Sequence, residues 1–187
     1  MIIPLISTIR QQFTLRYIFD LHTDFMLTNN TTRFLTRQGV PFAVHSLQTT
    51  EKKSAMEVAQ ILNKPPRIIY KSIVLTTSQP NKPVLALVPA DCQVNHKAVA
   101  LVFNEKKATV ATQSEAERIT GLQAGGISPL ALRNKPFRVI IDQTINSLDS
   151  VIISAGVRGW QIELSPADLI ALTRATVAPI AQLPDTN

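Results

Sequence analysis

The sequence predicts a single α+β (mixed α/β) domain organised around a mixed β-sheet. The chain has 187 residues, the size of one ordinary domain that can bury a core of its own. Many short strand patterns are interspersed with short helix patterns, and the two do not alternate regularly. No repeat or internal linker interrupts residues 28–183, so we expect one domain over that range.

Two terminal segments flank this domain. Residues 1–27 are predicted to form a loosely attached N-terminal extension, because their pattern does not match the rest of the chain. Their apolar start lacks the basic region and the small-residue cleavage site of a signal peptide. Residues 184–187 are assigned to a short tail.

A helix and a strand are predicted first. The helix begins at Thr31 or Thr32 and reaches Gln38, where Gly39 supplies the left-handed stop. Alternating apolar positions then predict a strand over residues 40–47.

A capping box opens the second helix. The Ser54 oxygen and the Glu57 carboxylate are spaced to satisfy the first orphan backbone amides. The pair Pro65-Pro66 ends this helix, since proline cannot continue it.

The strand predicted over residues 67–76 contains Lys71, the most informative side chain in the sequence. Six of these ten residues are apolar or aromatic, and four of the six are β-branched. An ammonium buried alone among them would cost several kcal/mol, so we expect Lys71 to face a cleft, a charge partner or a ligand. The alternative is a lysine that snorkels from the strand edge to water.

The second half of the domain is predicted from the same signals. Asn95 caps a helix through Phe103, and a second capping box, Ser114 with Glu117, opens a helix that ends at Gly121. Ser165 caps a final helix, with Pro166 at its first position, and Leu169, Leu172 and Val177 pack it down. Strands are predicted over residues 84–88 (in a hairpin with the Lys71 strand), 109–111, 137–142, 151–154 and 160–164.

Two loops contain paired or closely spaced glycines. Gly125-Gly126 permits positive φ and a close approach of a ligand to backbone N–H groups. The spacing matches neither the phosphate-binding P-loop nor the dinucleotide fingerprint, so neither site is supported. Residues 154–159 form the second glycine-bearing turn.

Composition narrows the class of protein. A hydrophobic content of 45% with 17% charged residues excludes disorder, and the apolar runs are far shorter than the roughly 20 residues of a membrane helix. The net charge of +6 favours a polyanionic partner such as nucleic acid. A single cysteine, Cys92, excludes an internal disulfide and fits a reducing cytoplasm. The three histidines lie far apart, so we expect no protein-bound metal.

Three motifs in fixed order resemble one known family. They are Tyr70-Lys71-Ser72; Thr120-Gly121 followed by Gly125-Gly126-Ile127-Ser128-Pro129; and Ser154-Ala-Gly156-Val-Arg158-Gly159 with Ile162-Glu163-Leu164. Together they are similar to the YbaK/ProX (EbsC-like) aminoacyl-tRNA deacylases, which are related to the editing domain of prolyl-tRNA synthetases. The resemblance covers residues 31–182 and is strongest to the Cys-tRNA(Pro)/Cys-tRNA(Cys) deacylase branch.

The resemblance implies a fold and a reaction. The fold would be a mostly antiparallel mixed sheet curled into a near-barrel and flanked by short helices. The chain would act in trans in the cytoplasm on mischarged tRNA, without a cofactor, most closely as a Cys-tRNA(Pro) deacylase that uses the substrate's own thiol. Prolyl-tRNA synthetase is a possible partner, and the oligomeric state is left open.

The resemblance also assigns site residues. Lys71, Gly125 and Gly126 would be catalytic, with backbone N–H groups around the two glycines as oxyanion donors. Leu47 and Gln161 replace a tyrosine and an aspartate common in the branch, so both concern specificity. The substrate-binding set would be Tyr70, Ser72, Ile127, Ser128, Pro129, Ser154, Gly156, Arg158, Leu47 and Gln161. Two alternatives remain: the same reaction with alanine, serine or threonine specificity, and a non-catalytic module that binds tRNA or a synthetase.

Overall fold

The computed structural model describes residues 27–184, and the predictions made for residues 1–26 and 185–187 lie outside this range. Leu27 packs against the main core, and its carbonyl accepts a hydrogen bond from Thr32 Oγ1 at 2.9 Å.

Five α-helices flank the sheets of the described domain, and most begin at a side-chain cap. They are α1 (Asn30–Gln38), α2 (Ala55–Ile61), α3 (His96–Val102), α4 (Gln113–Thr120) and α5 (Pro166–Thr173). The caps predicted at Ser54, Asn95 and Ser165 are confirmed, as is the left-handed Gly39.

Within residues 27–184, ten strands form three sheets. They are β1 (Phe42–Ser46), β2 (Tyr70–Thr77), β3 (Val84–Pro89), β4 (Gln93–Val94), β5 (Ala108–Val110), β6 (Arg138–Asp142), β7 (Val151–Ser154), β8 (Trp160–Leu164), β9 (Thr176–Ala178) and β10 (Ala181–Gln182). One sheet has the order β5-β2-β3-β6-β9, the second β1-β8-β7, and the third pairs β10 with β4. The β3–β6 and β6–β9 pairs are parallel and the other strand pairs are antiparallel, which confirms the predicted mixed, mostly antiparallel arrangement.

The two larger sheets wrap around one main core without closing. A single parallel bridge, Ile69 to Ile152, joins β2 to β7. Both sheets contribute fully buried side chains to this core, including Leu85 and Ile141 from one and Ile153 and Ile162 from the other. The near-barrel expected from the resemblance is therefore an open one.

Several predicted boundaries were wrong for local reasons. Helix α1 is capped by Asn29, whose side chain accepts from both Thr31 and Thr32. Strand β2 begins at Tyr70, because Pro66–Ile68 forms a 3-10 turn after the proline pair.

Two further corrections concern α4 and α5. Helix α4 uses Thr112 and Glu115 as its capping box instead of Ser114 and Glu117. Helix α5 ends at a left-handed Arg174, so Val177 lies in β9 and not on the helix. The short strands β4, β9 and β10 and the 3-10 turn Gln143–Ser147 were not predicted.

Asp142, at the end of β6, holds the C-terminal segment in place. Its carboxylate accepts hydrogen bonds from the Thr144 amide and hydroxyl and from the Ile180 and Ala181 amides. These bonds lower the pKa of the Asp142 carboxyl against an opposing effect of burial. None of the helices in residues 27–184 is long and apolar enough to cross a membrane.

Candidate active site

A cavity lies where the two larger sheets separate. Strand β2 meets β7 only at the bridge formed by Ile69, and it pairs with β5 only from Leu75 onward. The stretch between, residues 70–74, lines a cavity of about 260 Å³. The other wall residues come from the segment before and within α2, the start of α4, the Gly125 loop and the second sheet: Lys52, Lys53, Ala55, Val58, Ile69, Val110, Ala111, Gln113, Ala116, Ala124, Gly125, Ile127, Ser154 and Gln161.

Lys71 lines this cavity and is half-buried. Its Nζ donates to the Ala90 carbonyl oxygen at 3.0 Å. Burial lowers the pKa of the Lys71 ammonium, while the nearby Cys92 and Asp91 act in the opposite direction. A strand lysine with a lowered pKa and one backbone partner is free to exchange that partner for a ligand oxygen.

The loop that contains Gly125 and Gly126, here called the glycine loop, forms one side of the cavity. Gly125 lies in the wall at a φ of +88°, a conformation that glycine adopts at little cost. The Gly126 N–H donates to the Gln123 carbonyl at 2.8 Å and is therefore already used. Within residues 27–184, the amides of Gly125 and Ile127 donate to no protein acceptor, so they are the better oxyanion donors.

Gly126 acts instead through close packing. A Cβ added there would lie 3.0 Å from the Arg158 nitrogen and 3.2 Å from backbone atoms of Val157. Arg158 clamps the same loop, because its Nε donates to the Ala124 carbonyl at 2.6 Å. The glycine loop and residues 154–159 thus pack as one unit.

The cavity does not gather all of the predicted site residues. Lys71, Tyr70, Ser72, Gly125, Ile127, Ser154 and Gln161 line it. Gly126, Ser128, Pro129, Gly156, Arg158 and Leu47 are outside its lining.

The residues outside the lining have packing roles. Leu47 is buried in a small apolar cluster with Val58 and Ile69. Ser128 is fully buried, and its Oγ has no hydrogen-bond partner in the described part of the chain. Space at Gly156 is filled to within 2.9 Å by Ala131, so a side chain there would collide.

Tyr70 lines the cavity, but its hydroxyl contacts Thr144, which is outside the lining. The hydroxyl lies 2.8 Å from Thr144 Oγ1, which itself donates to Asp142. Burial raises the pKa of Tyr70 to about 12, so the phenol stays protonated near neutral pH. Its role in this structure is to fix the start of β2.

Two wall residues were not predicted to be there. Lys52 crosses the glycine loop, with its Cγ 3.4 Å from the position of a Cβ on Gly125, and its Nζ donates to Gln113 Oε1 at 2.7 Å. The Lys52-Lys53 pair before a helix cap was a sequence signal for a basic rim. Nothing in the sequence singled out Gln113.

No group of three or more histidine, cysteine, aspartate or glutamate side chains in residues 27–184 is placed to hold a metal ion. The cavity walls contain no carboxylate, imidazole or thiol. Cys92 is outside the walls, and burial next to Asp91 raises the pKa of its thiol.

The chain is similar to known proteins in both sequence and structure. The aminoacyl-tRNA editing domain family matches residues 49–172. A protein of Enterococcus faecalis named "Putative Cys-tRNA(Pro)/Cys-tRNA(Cys) deacylase EbsC" is 30% identical over 152 residues, which cover 81% of this chain and 92% of that protein. The proline–tRNA ligase of Cupriavidus taiwanensis is 30% identical over 139 residues, or 70% of this chain and 24% of the ligase.

Solved structures share the fold. The crystal structure described as a "putative trans-editing enzyme for prolyl tRNA synthetase" superposes with a TM-score of 0.70 at 24% identity, over 84% of this chain and 99% of the other. The hypothetical protein APE2540 gives a TM-score of 0.75 at 20% identity, over 82% and 100% of the two chains. The family match over residues 49–172 and the 30% identity to EbsC establish that the chain belongs to the aminoacyl-tRNA editing domain family.

Proposed function

We propose that the chain is a freestanding, cytoplasmic deacylase that removes cysteine from Cys-tRNA(Pro) by attack of the substrate's own thiol. One observation carries this proposal. The residues of 27–184 that line the cavity include Lys71 and two residues, Gly125 and Ile127, whose amides donate to no protein acceptor, but no histidine, cysteine or carboxylate that could activate or act as a nucleophile. A site of this kind suits an activated ester that brings its nucleophile with it.

The reaction balances without water. The substrate sulfur attacks the ester carbonyl, a C–S bond forms, and the C–O bond to the terminal ribose breaks. The thiol proton ends on the ribose oxygen, which gives a thiolactone and a free tRNA. The amides of Gly125 and Ile127 stabilise the charge that develops on the carbonyl oxygen. Lys71 holds a ribose, phosphate or carbonyl oxygen in place and exchanges its bond to Ala90 for this contact.

Support for the substrate comes from the relatives. The EbsC protein carries Cys-tRNA(Pro) and Cys-tRNA(Cys) in its name, and the ligase match covers only about a quarter of a proline–tRNA ligase. The proposal therefore includes presentation of the mischarged tRNA by prolyl-tRNA synthetase.

Single-turnover deacylation of tRNA(Pro) carrying cysteine, serine or alanine tests the proposal. We expect rapid loss of cysteine and much slower loss of serine, because a hydroxyl with a far higher pKa is a poorer intramolecular nucleophile. Alanine, which has no side-chain nucleophile, should survive. Identification of the released product distinguishes a thiolactone from free cysteine formed directly. Equal rates for cysteine and alanine would eliminate the thiol mechanism and identify water as the attacking group.

A further inference from the structure

The side chain of Gln161 lacks a partner at a buried position. Gln161 is opposite Ser154 on one side and His45 on the other, so these three side chains share a face of the three-stranded sheet. Its exposed fraction is 6%, and its carboxamide makes no hydrogen bond to any residue from 27 to 184. Its donors and acceptor are therefore available to a ligand, although they are not sealed from solvent: the fully buried side-chain atoms without a partner in residues 27–184 are Ser72 Oγ, Ser128 Oγ and Arg138 Nε.

The cavity that Gln161 lines carries positive charge and no negative charge. Its ionisable wall residues are Lys52, Lys53 and Lys71 together with the neutral phenol of Tyr70. A cationic group that entered would find no carboxylate among the residues of 27–184 that line the cavity, and it would lose its hydration as well. Lys53 is paired with glutamates, whereas Lys52 and Lys71 donate to uncharged oxygens and keep their charge unpaired.

The carboxylates near the cavity lie outside its walls and have partners of their own. Glu51 and Glu57 lie 3.1 and 3.9 Å from Lys53 Nζ, and Glu117 accepts from the Ala124 amide and lies 3.6 Å from Arg158. Asp91 lies beside Cys92 and influences Lys71 from beyond the wall. Glu163 lies two residues along β8 on the same face as Gln161, and its carboxylate is contacted by both His45 and Lys64.

We propose that the cavity accepts an aminoacyl group whose α-amine is uncharged, and that the Gln161 carboxamide binds this amine as a specificity-determining group. The inference rests on the proposed function, because it places the acyl group in this cavity. The carboxamide oxygen accepts from the neutral amine, and the absence of a wall carboxylate selects against the ammonium form. Acyl groups with a permanent positive charge are excluded for the same reason.

Two stable probes isolate the α-amine. Both are short acceptor-stem RNA duplexes with an amide-linked acyl group at the 3′ end: one carries cysteine, and the other carries its counterpart with a hydroxyl in place of the amine. The thiol, the RNA and Lys71 are the same in both titrations, so the ratio of the two dissociation constants reports on the amine alone.

Fluorescence anisotropy between about pH 6 and pH 8 should then separate the probes. An α-amine titrates near pH 7.7–8.0, so the dissociation constant for the cysteinyl probe should fall about tenfold per pH unit below that value. The hydroxyl probe should show no such dependence. Equal pH dependence for both probes, tighter cysteinyl binding at the lower pH, or no binding of either probe would overturn the inference.

The Gln161→Glu variant provides a second test. A carboxylate in the wall should favour the ammonium and improve cysteinyl binding relative to hydroxyl binding at pH 6 by about tenfold or more. Gln182→Glu, which adds the same charge at an exposed position outside the cavity, is the matched control and should leave the ratio unchanged. The wild-type comparison stands even if the Gln161 variant fails to fold.

The two proposals fail separately. If the probes bind with the expected pH pattern while the ester-linked substrate survives, the inference stands and the deacylase proposal falls. If the ester is cleaved rapidly while the probes show no difference in pH dependence, the deacylase proposal stands and the role of Gln161 falls.

Discussion

Lys71 shows which part of a site can be recognised in one residue. An ammonium in the middle of a β-branched strand pointed to a cleft, and the side chain does line the cavity. Gln161 gave no such signal by its residue type, because a single glutamine in a strand is as common on a solvent-facing side as in a site, and it was assigned only through the family resemblance. Strand pairing then set it between Ser154 and His45.

Replacement of Lys71 by alanine should remove deacylation with little change in the melting temperature. The side chain contributes one hydrogen bond, to the Ala90 carbonyl, which is worth about 1 kcal/mol, and loss of a partly desolvated charge offsets this. Single-turnover assays and thermal melts followed by circular dichroism provide the two readouts. Lys107→Ala, at an exposed position, is the control. A Lys71 variant that unfolds, or one that keeps full activity, would contradict the prediction.

At the scale of elements, local signals located the helices well and tertiary contacts corrected them. Thr112 with Glu115 and Ser114 with Glu117 both fit the capping-box spacing, so the sequence alone offered two starts for α4. The structure uses the first pair because Glu117 is needed elsewhere: it accepts from the Ala124 amide and thereby holds the glycine loop. The packing role of Gly126 could not be predicted from the sequence either. Its packing against Val157 and Arg158 depends on two loops that are about thirty residues apart in sequence.

Glu163 should make the pairing of β8 with its surroundings sensitive to acid. His45, Ser150 and Lys64 contact its carboxylate at 2.9, 2.6 and 3.3 Å and, led by the His45 contact, lower its pKa from 4.5 to about 2. The folded-state pKa is below the unfolded value. The stabilisation is therefore present above about pH 4.5 and is lost as the pH falls toward 2.

Urea unfolding of wild type and Glu163→Gln measures this contribution. The variant should be less stable by roughly 2 to 3 kcal/mol near pH 6, and the difference should shrink as the pH falls toward 3. Glu51→Gln, where the carboxylate is largely exposed, should show little difference at either pH. A Glu163→Gln penalty that is constant across this range would mean that packing, and not ionisation, stabilises the pairing.

The net charge of +6 is a property of the whole chain, and several of the basic side chains that contribute to it already have partners in the structure. Among the basic residues that could contact phosphate, Arg133 stacks on Phe34, while the Arg158 guanidinium donates to Ala124 of the glycine loop. Lys64 and Lys53 are paired with glutamates. Arg67, which is exposed and has no partner among residues 27–184, and Lys52 at the cavity rim are the better candidates.

tRNA affinity should therefore depend on salt, but through few contacts. If several phosphates are neutralised, binding should weaken about tenfold or more between roughly 50 and 200 mM salt, independently of sequence. Arg67→Gln and Lys52→Gln should each reduce the slope of log K against log salt by about one, because each removes one phosphate contact. The exposed Lys107→Ala should leave the slope unchanged. Filter binding with uncharged tRNA measures these slopes without interference from turnover. A flat salt response in the wild type would mean that the positive charge serves another partner and that recognition depends on the acyl group and the terminal nucleotides alone.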